Sequence, residues 1–181
     1  MPVNMKQVIA QTFAQMVEEK GLDEVTVKSL VEACNISRQT FYYHFQDIIE
    51  VIEWSLDQAL DQALGQTLEA KSMGEEILVL VESTVEKREM INALLNSQRR
   101  EQMELMFLKA IRTYLKRLLE ARSPQLPINY SDMELLLDFW SCGLTGILLK
   151  LCRQKQIDEK KLSEQIARLL SRRMVDLSGQ A

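Results

Sequence analysis

Histidine occurs once, at position 44, and cysteine three times, at 34, 142 and 152, in a chain of 181 residues. An odd number of thiols at those separations makes neither a zinc nor a redox motif and argues for reduced, mostly buried side chains. There is no Gly-rich phosphate loop, and no nucleophile has a base at a recognisable spacing. Catalysis therefore has no candidate residue, and neither a metal nor a cofactor is expected. Six Gly and three Pro are few, and alternating β-branched runs are missing, so the abundant Leu, Glu, Gln, Lys and Ala point to an all-α chain. The most apolar segment, Phe139 to Leu149, is eleven uncharged residues, too short to span a bilayer, and the N-terminus lacks a basic stretch followed by an apolar core. A cytoplasmic protein with no membrane partner is expected. With 46% hydrophobic and 27% charged residues, the composition is that of one or two small globular domains.

Against this plain background, Ser37 to Phe45 stands out, because it packs an N-cap, three adjacent polar side chains and four aromatics into nine residues. With Ser37 as N-cap, accepting from the backbone near Thr40, a helix runs to about His44. Phe41 and Phe45 then share one face, with Ile36 as a staple before the cap, while Arg38, Gln39, Tyr42 and Tyr43 fall elsewhere. The exposed side carries donors and flat rings, as a helix lying in a DNA major groove would. Taken alone it could equally cover a hydrophobic surface. The preceding residues decide: Thr26 is a plausible N-cap for a helix with Val27, Leu30, Val31 and Cys34 on one face, and Asn35 sits where a helix ends in the left-handed conformation. Two short helices meeting at a tight Cys34-Asn35-Ile36-Ser37 turn make a helix-turn-helix with the second helix as reader.

Over residues 5 to 54, the run from Gly21 to Ile36 followed by Ser-Arg-Gln-Thr-Phe-Tyr-Tyr-His-Phe resembles the DNA-binding domain of TetR/AcrR-type transcriptional regulators. Ile52-Glu53-Trp54 and the later Phe139-Trp140-Ser-Cys-Gly-Leu-Thr-Gly look like the subgroup typified by regulators of dihydroxyacetone kinase operons. The resemblance implies an all-helical homodimer on a near-palindromic double-stranded DNA operator, with a variable C-terminal part that dimerises and often holds a small effector. For the subgroup, it implies activation through a kinase-like co-regulator. The expected DNA contacts divide in two. Arg38, Gln39 and Thr40 reach base edges, and Thr26, Lys28, Ser37, Tyr42, Tyr43 and His44 hold the backbone. Charge runs the other way: residues 1 to 50 hold four Lys or Arg against seven Asp or Glu, a balance of −3. Phosphate neutralisation usually supplies most of the affinity. Where the family commonly has a Lys after the aromatic run, Gln46 and Asp47 stand here.

About nine helices are expected: a helix-turn-helix domain over 1–50, a connecting helix over 51–65 and a helical effector and dimerisation domain over 66–181. The first helix, about Met5 to Lys20, carries Ile9, Phe13, Met16 and Val17 at helical spacing and stops at Gly21. The fourth starts at Asp47, whose pairing with Glu50 resembles a capping box, and runs to about Leu64. It is the natural lever between domains. Gly65 to Gly74 reads as the joint, and Ser72 with Glu75 as the next capping box. Helices follow over about 74–86, 88–97 and 100–122, the last with a broad apolar stripe. Ser123-Pro124-Gln125-Leu126-Pro127 then acts as a stop. Ser131 with Glu134 should cap a helix to about Gln154, and Asp158 a last one to about Met174.

Between 135 and 152 only Asp138 and Lys150 carry charge, so this helix needs cover on nearly every side. It is either an interior helix of a monomeric bundle or, with the last helix, half of a four-helix dimer bundle. The second reading places Gly143, Gly146, Ile147, Leu151, Leu162, Ile166, Leu169 and Leu170 at the interface. Met90, Met103, Phe107, Tyr114, Phe139, Trp140 and Cys142 are candidate effector-pocket residues, although such a stripe is more often plain core. Segment 96–123 carries a balance of +4 and 51–95 one of −6. That split suits either a solvated face or a docking face for a protein co-regulator, the alternative to a small-molecule effector.

Overall fold

The computed structural model describes residues 4–122, 128–154 and 156–178. Among them are nine α-helices and no strand: α1 (Met5–Lys20), α2 (Val27–Ala33), α3 (Arg38–His44), α4 (Ile48–Glu69), α5 (Met73–Glu86), α6 (Arg88–Leu95), α7 (Arg100–Arg122), α8 (Tyr130–Leu151) and α9 (Glu159–Ser178), with a 3₁₀ turn at Leu22–Glu24. No helix of the described residues is long and apolar enough to cross a membrane. The stop expected at Ser123 to Pro127 lies outside the described residues.

Side-chain caps set most of the helix starts. The Thr26 hydroxyl accepts from the Ser29 N–H at 3.1 Å, and the Ser29 hydroxyl oxygen accepts from the Thr26 N–H at 3.0 Å, closing a capping box. Ser72 accepts from the Glu75 N–H and Asp158 from the Lys161 N–H. Gly21 (φ 83°) and Asn35 (φ 52°) take the left-handed conformations that end α1 and turn α2 into α3. Two expectations change. Helix α8 is capped by Asn129, whose side-chain oxygen accepts from the Asp132 N–H at 2.9 Å, so it begins before Ser131, and Glu134 pairs with Arg112 instead of capping. Helix α4 passes through Gly65 and reaches Glu69. An interior Gly costs roughly 1 kcal/mol relative to Ala, which burial of Ala63, Leu64 and Thr67 in that turn offsets.

The described chain forms two compact units. The first takes in the residues up to 59 together with 88–110, and the second comprises 60–87 and 111 onward. In the first, Ile9, Phe13 and Val17 of α1 are buried, as are Leu30 of α2, Phe41 of α3, Phe45, and Val51 and Ile52 of α4. Helix α6 packs on α1, with Leu94 and Leu95 buried. The Gln98 N–H, just after α6, donates to both carboxylate oxygens of Asp23 at 3.0 and 3.3 Å. In the second unit α5 packs on α8 and α9, and Ile77, Leu80, Val81, Ile111, Tyr114, Leu137, Leu144, Leu148, Leu151 and Ile166 make one core.

Candidate nucleic-acid interface

Helix α3 is seven residues long and divides sharply between two faces. Phe41 is fully buried and meets Phe45 at 6.1 Å between ring centroids, and Phe45 in turn meets Trp54 edge-on at 6.0 Å. This aromatic ladder fixes the roll of the helix, because Phe41 cannot leave without opening a cavity of its own size. The opposite face is open: Ser37, Arg38, Gln39, Tyr42 and Tyr43 are exposed, Tyr43 at 85%, and Thr40 and His44 are half-buried. Thr26 and Lys28 on the neighbouring helix are exposed too, so all nine residues expected to meet DNA lie at the surface of the first unit.

The first turn of α3 is capped by neutral groups. The Ser37 hydroxyl accepts from the Thr40 N–H at 3.0 Å and lies 2.9 Å from the Thr40 hydroxyl. Helix α4 starts differently, for the Asp47 carboxylate accepts from the Glu50 N–H at 2.9 Å and the Glu50 carboxylate from the Gln46 N–H at 2.5 Å. Two acids thus occupy the positive end that a phosphate could have used. Asp23 likewise spends its charge on a backbone N–H. The helix starts of α2 and α3 thus have neutral caps, whereas that of α4 is already taken by acids.

In the second unit, the exposed side of α8 carries Leu135 (68% exposed) and Phe139 (57%), followed by Cys142, Gly143 and Gly146. A Cβ added at either glycine would meet nothing within 4 Å, so this strip is open in the single chain. Of the other residues expected at a dimer interface, Leu169 is exposed, and Ile147, Leu162 and Leu170 are half-buried. Leu151 and Ile166 belong to the unit's own core.

The seven effector-pocket candidates are spread out. Met90, Met103 and Phe107 fall in the first unit, Met103 fully buried. In the second, Tyr114 is buried and Trp140 packs against the core, while Phe139 and Cys142 face outward. The Tyr114 hydroxyl lies 2.7 Å from that of Thr67, a buried pair. Burial pushes the Tyr114 phenol above its ordinary value, and the bond to Thr67 pulls it partly back. Thr67 went unnoticed in the sequence because α4 was expected to end before it. In the same unit, the Thr145 hydroxyl is buried with no hydrogen-bond partner among the described residues.

The basic segment 96–123 is largely spent on internal pairs. Arg100 bonds Glu104, Arg112 bonds Asp138 and Glu134, Arg117 bonds Asp61, and Arg122 bonds Glu76 and the carbonyls of Thr67 and Ala70. The hydrogen bonds to Asp138 and Glu134 raise the Arg112 pKa still further.

Comparison with known proteins agrees with this architecture. Residues 11–53 match the profile described as bacterial regulatory proteins, tetR family, and residues 72–172 the one described as a transcriptional regulator C-terminal region. The HTH-type dhaKLM operon transcriptional activator DhaS of Lactococcus lactis subsp. lactis (strain IL1403) is 22% identical over 76 residues, 42% of this chain. The match spans only 41% of that relative's length. Among solved structures, the dihydroxyacetone kinase operon activator DhaS superposes with a TM-score of 0.68 at 18% identity, covering 94% of this chain and 96% of that one. The fatty acid degradation regulator FadR from Bacillus halodurans gives 0.61 at 17%, with the same coverage. These structural likenesses show a shared fold. With both profiles matched, one of them across more than half of the residues, the chain belongs to the TetR family of bacterial transcriptional regulators.

Proposed function

We propose that this regulator binds a two-fold symmetric operator as a homodimer joined through α8 and α9, with Arg38, Gln39 and Thr40 reading bases and Thr26, Lys28, Ser37, Tyr42, Tyr43 and His44 holding phosphates. The observation that carries it is the two-sided α3, whose buried aromatic face fixes its roll while its N-terminal donors stay exposed. A dimer reading two half-sites needs its readers about 34 Å apart, one turn of DNA. Selection of bound duplex from a random pool tests this. A palindromic enriched site, whose preference Arg38→Ala relaxes at one position of each half, is the expected result, and enrichment of no sequence refutes it. Gly143→Leu should weaken the dimer, since nothing in the chain itself opposes the added side chain. Wild type sedimenting as a monomer at micromolar concentration would end the dimer reading.

Control by a small effector seated in the second unit is favoured over a docked co-regulator. Four of the seven basic residues of segment 96–123 are held in internal ion pairs, which weakens the case for a basic docking face. The buried Thr67 and Tyr114 hydroxyls and the Thr145 hydroxyl, which has no hydrogen-bond partner among the described residues, by contrast, are polar groups buried within the second unit. Such groups are where a mostly apolar ligand finds its orienting bonds. The kinship with a dihydroxyacetone kinase operon activator keeps the co-regulator as the second reading. A ligand thermal-shift screen beside a pull-down separates them: the effector reading expects a stabilising compound whose effect Tyr114→Phe reduces.

A further inference from the structure

Resting on the operator-binding reading above, we infer that Lys6 in the first turn of α1 is a further phosphate contact, its ammonium holding the DNA backbone beside the C-terminal end of the reader helix. It comes from a helix that reading does not use.

Residues 1 to 50 hold four cations, of which Lys28 and Arg38 are already assigned to DNA. The other two sit at opposite ends of α1, Lys6 in its first turn and Lys20 in its last, about 21 Å apart at roughly 1.5 Å per residue. Lys6 is tied to the reader. Its ammonium lies 5.0 Å from the centroid of the Phe45 ring, and that ring is held in turn by Phe41 of α3 and by Trp54 of α4. The ladder that fixes the roll of α3 therefore fixes the station of this cation too. Phe45 directly follows His44, so the ammonium stands at the end of α3 whose Tyr42, Tyr43 and His44 are proposed to hold phosphates.

The fold itself makes little use of the charge. Lys6 is half-buried and makes no ion pair among the described residues, and a cation over a ring at a partly exposed site gains a factor of only about two to five. A cation in the first turn also opposes the dipole of its own helix, and α1 has no acid in that turn to balance it. The neighbouring start of α4 is closed by Asp47 and Glu50, so Lys6 supplies positive charge where the adjoining helix start offers none. An anion brought to this place gives the ammonium the partner it lacks.

The test is a salt titration of the full chain on a duplex of roughly 30 base pairs of mixed sequence, between about 50 and 200 mM salt. Lys6→Met keeps an apolar stem over Phe45 and removes the charge. It should weaken binding about threefold to tenfold and flatten the salt slope by about one unit per bound subunit, with melting temperature unchanged. Lys6→Arg should keep wild-type affinity and slope, and Lys20→Met, at the far end of the same helix, should alter neither. A Lys6→Met protein with the wild-type slope overturns the inference and leaves the operator reading standing, as does one whose affinity falls only together with its melting temperature. Wild type that binds no duplex at the lowest salt overturns both.

Discussion

Helix α4 begins four residues after α3 ends, yet the two first turns are closed in electrically opposite ways. At α3 a serine hydroxyl satisfies the Thr40 N–H and leaves the positive end of the helix uncompensated. At α4 two carboxylates satisfy the N–H groups of Gln46 and Glu50 and cancel that end. The contrast shows why a balance of −3 over fifty residues is a poor measure of DNA affinity: acids used as caps act on their own helix, and what matters is which helix start an approaching phosphate meets.

Substitutions can break or sharpen this contrast. The largest effect is expected on the reader side. Arg38→Ala should cost about 1–3 kcal/mol on the operator and relax preference at one position, whereas Lys28→Ala should weaken all sequences alike and flatten the salt slope by about one unit. Salt titrations on operator and scrambled duplex measure both, and identical behaviour of the two variants would erase the division into base and phosphate contacts. Next comes the cap itself. Ser37→Ala should lower stability by about 1 kcal/mol in denaturant melts, while Ser37→Asp should keep the cap and hence the stability. If the open start of α3 meets phosphate, Ser37→Asp must nonetheless weaken binding to every duplex, and unchanged affinity would show that no phosphate comes there. Smaller still, Glu50→Gln should cost about 0.3–1 kcal/mol of stability by removing a charge from the positive end of α4, and raise affinity for any DNA slightly. The smallest change is Gln46→Lys, expected to raise affinity for scrambled and operator duplex together by adding roughly one phosphate contact. A gain on the operator alone would contradict it.

Within the first unit, the stretch from α1 to α3 was legible almost residue by residue. Caps act over three residues, apolar stripes repeat within four, and the left-handed Gly21 and Asn35 are local choices, so α1 to α3 and the exposure of the nine expected DNA-facing residues could be read from neighbours in the chain. The second unit was less so. Ser131 and Asn129 are both competent caps two residues apart, and the choice between them went with Glu134 being drawn to Arg112, a partner 22 residues away. Gly65 looks like a break until burial of its neighbours holds the helix through it.

Periodicity and capping in the sequence were enough to determine an all-α chain, a helix-turn-helix and the inner and outer faces of its reader, because each depends on interactions within a turn or two of helix. Only the tertiary structure decided that α6 packs on α1, that Tyr114 bonds Thr67, that the arginines of α7 are spent on Asp61, Glu76, Glu134 and Asp138, and that Lys6 lies over Phe45. Those contacts join residues tens of positions apart, and their existence depends on where whole helices come to rest, which no local pattern encodes.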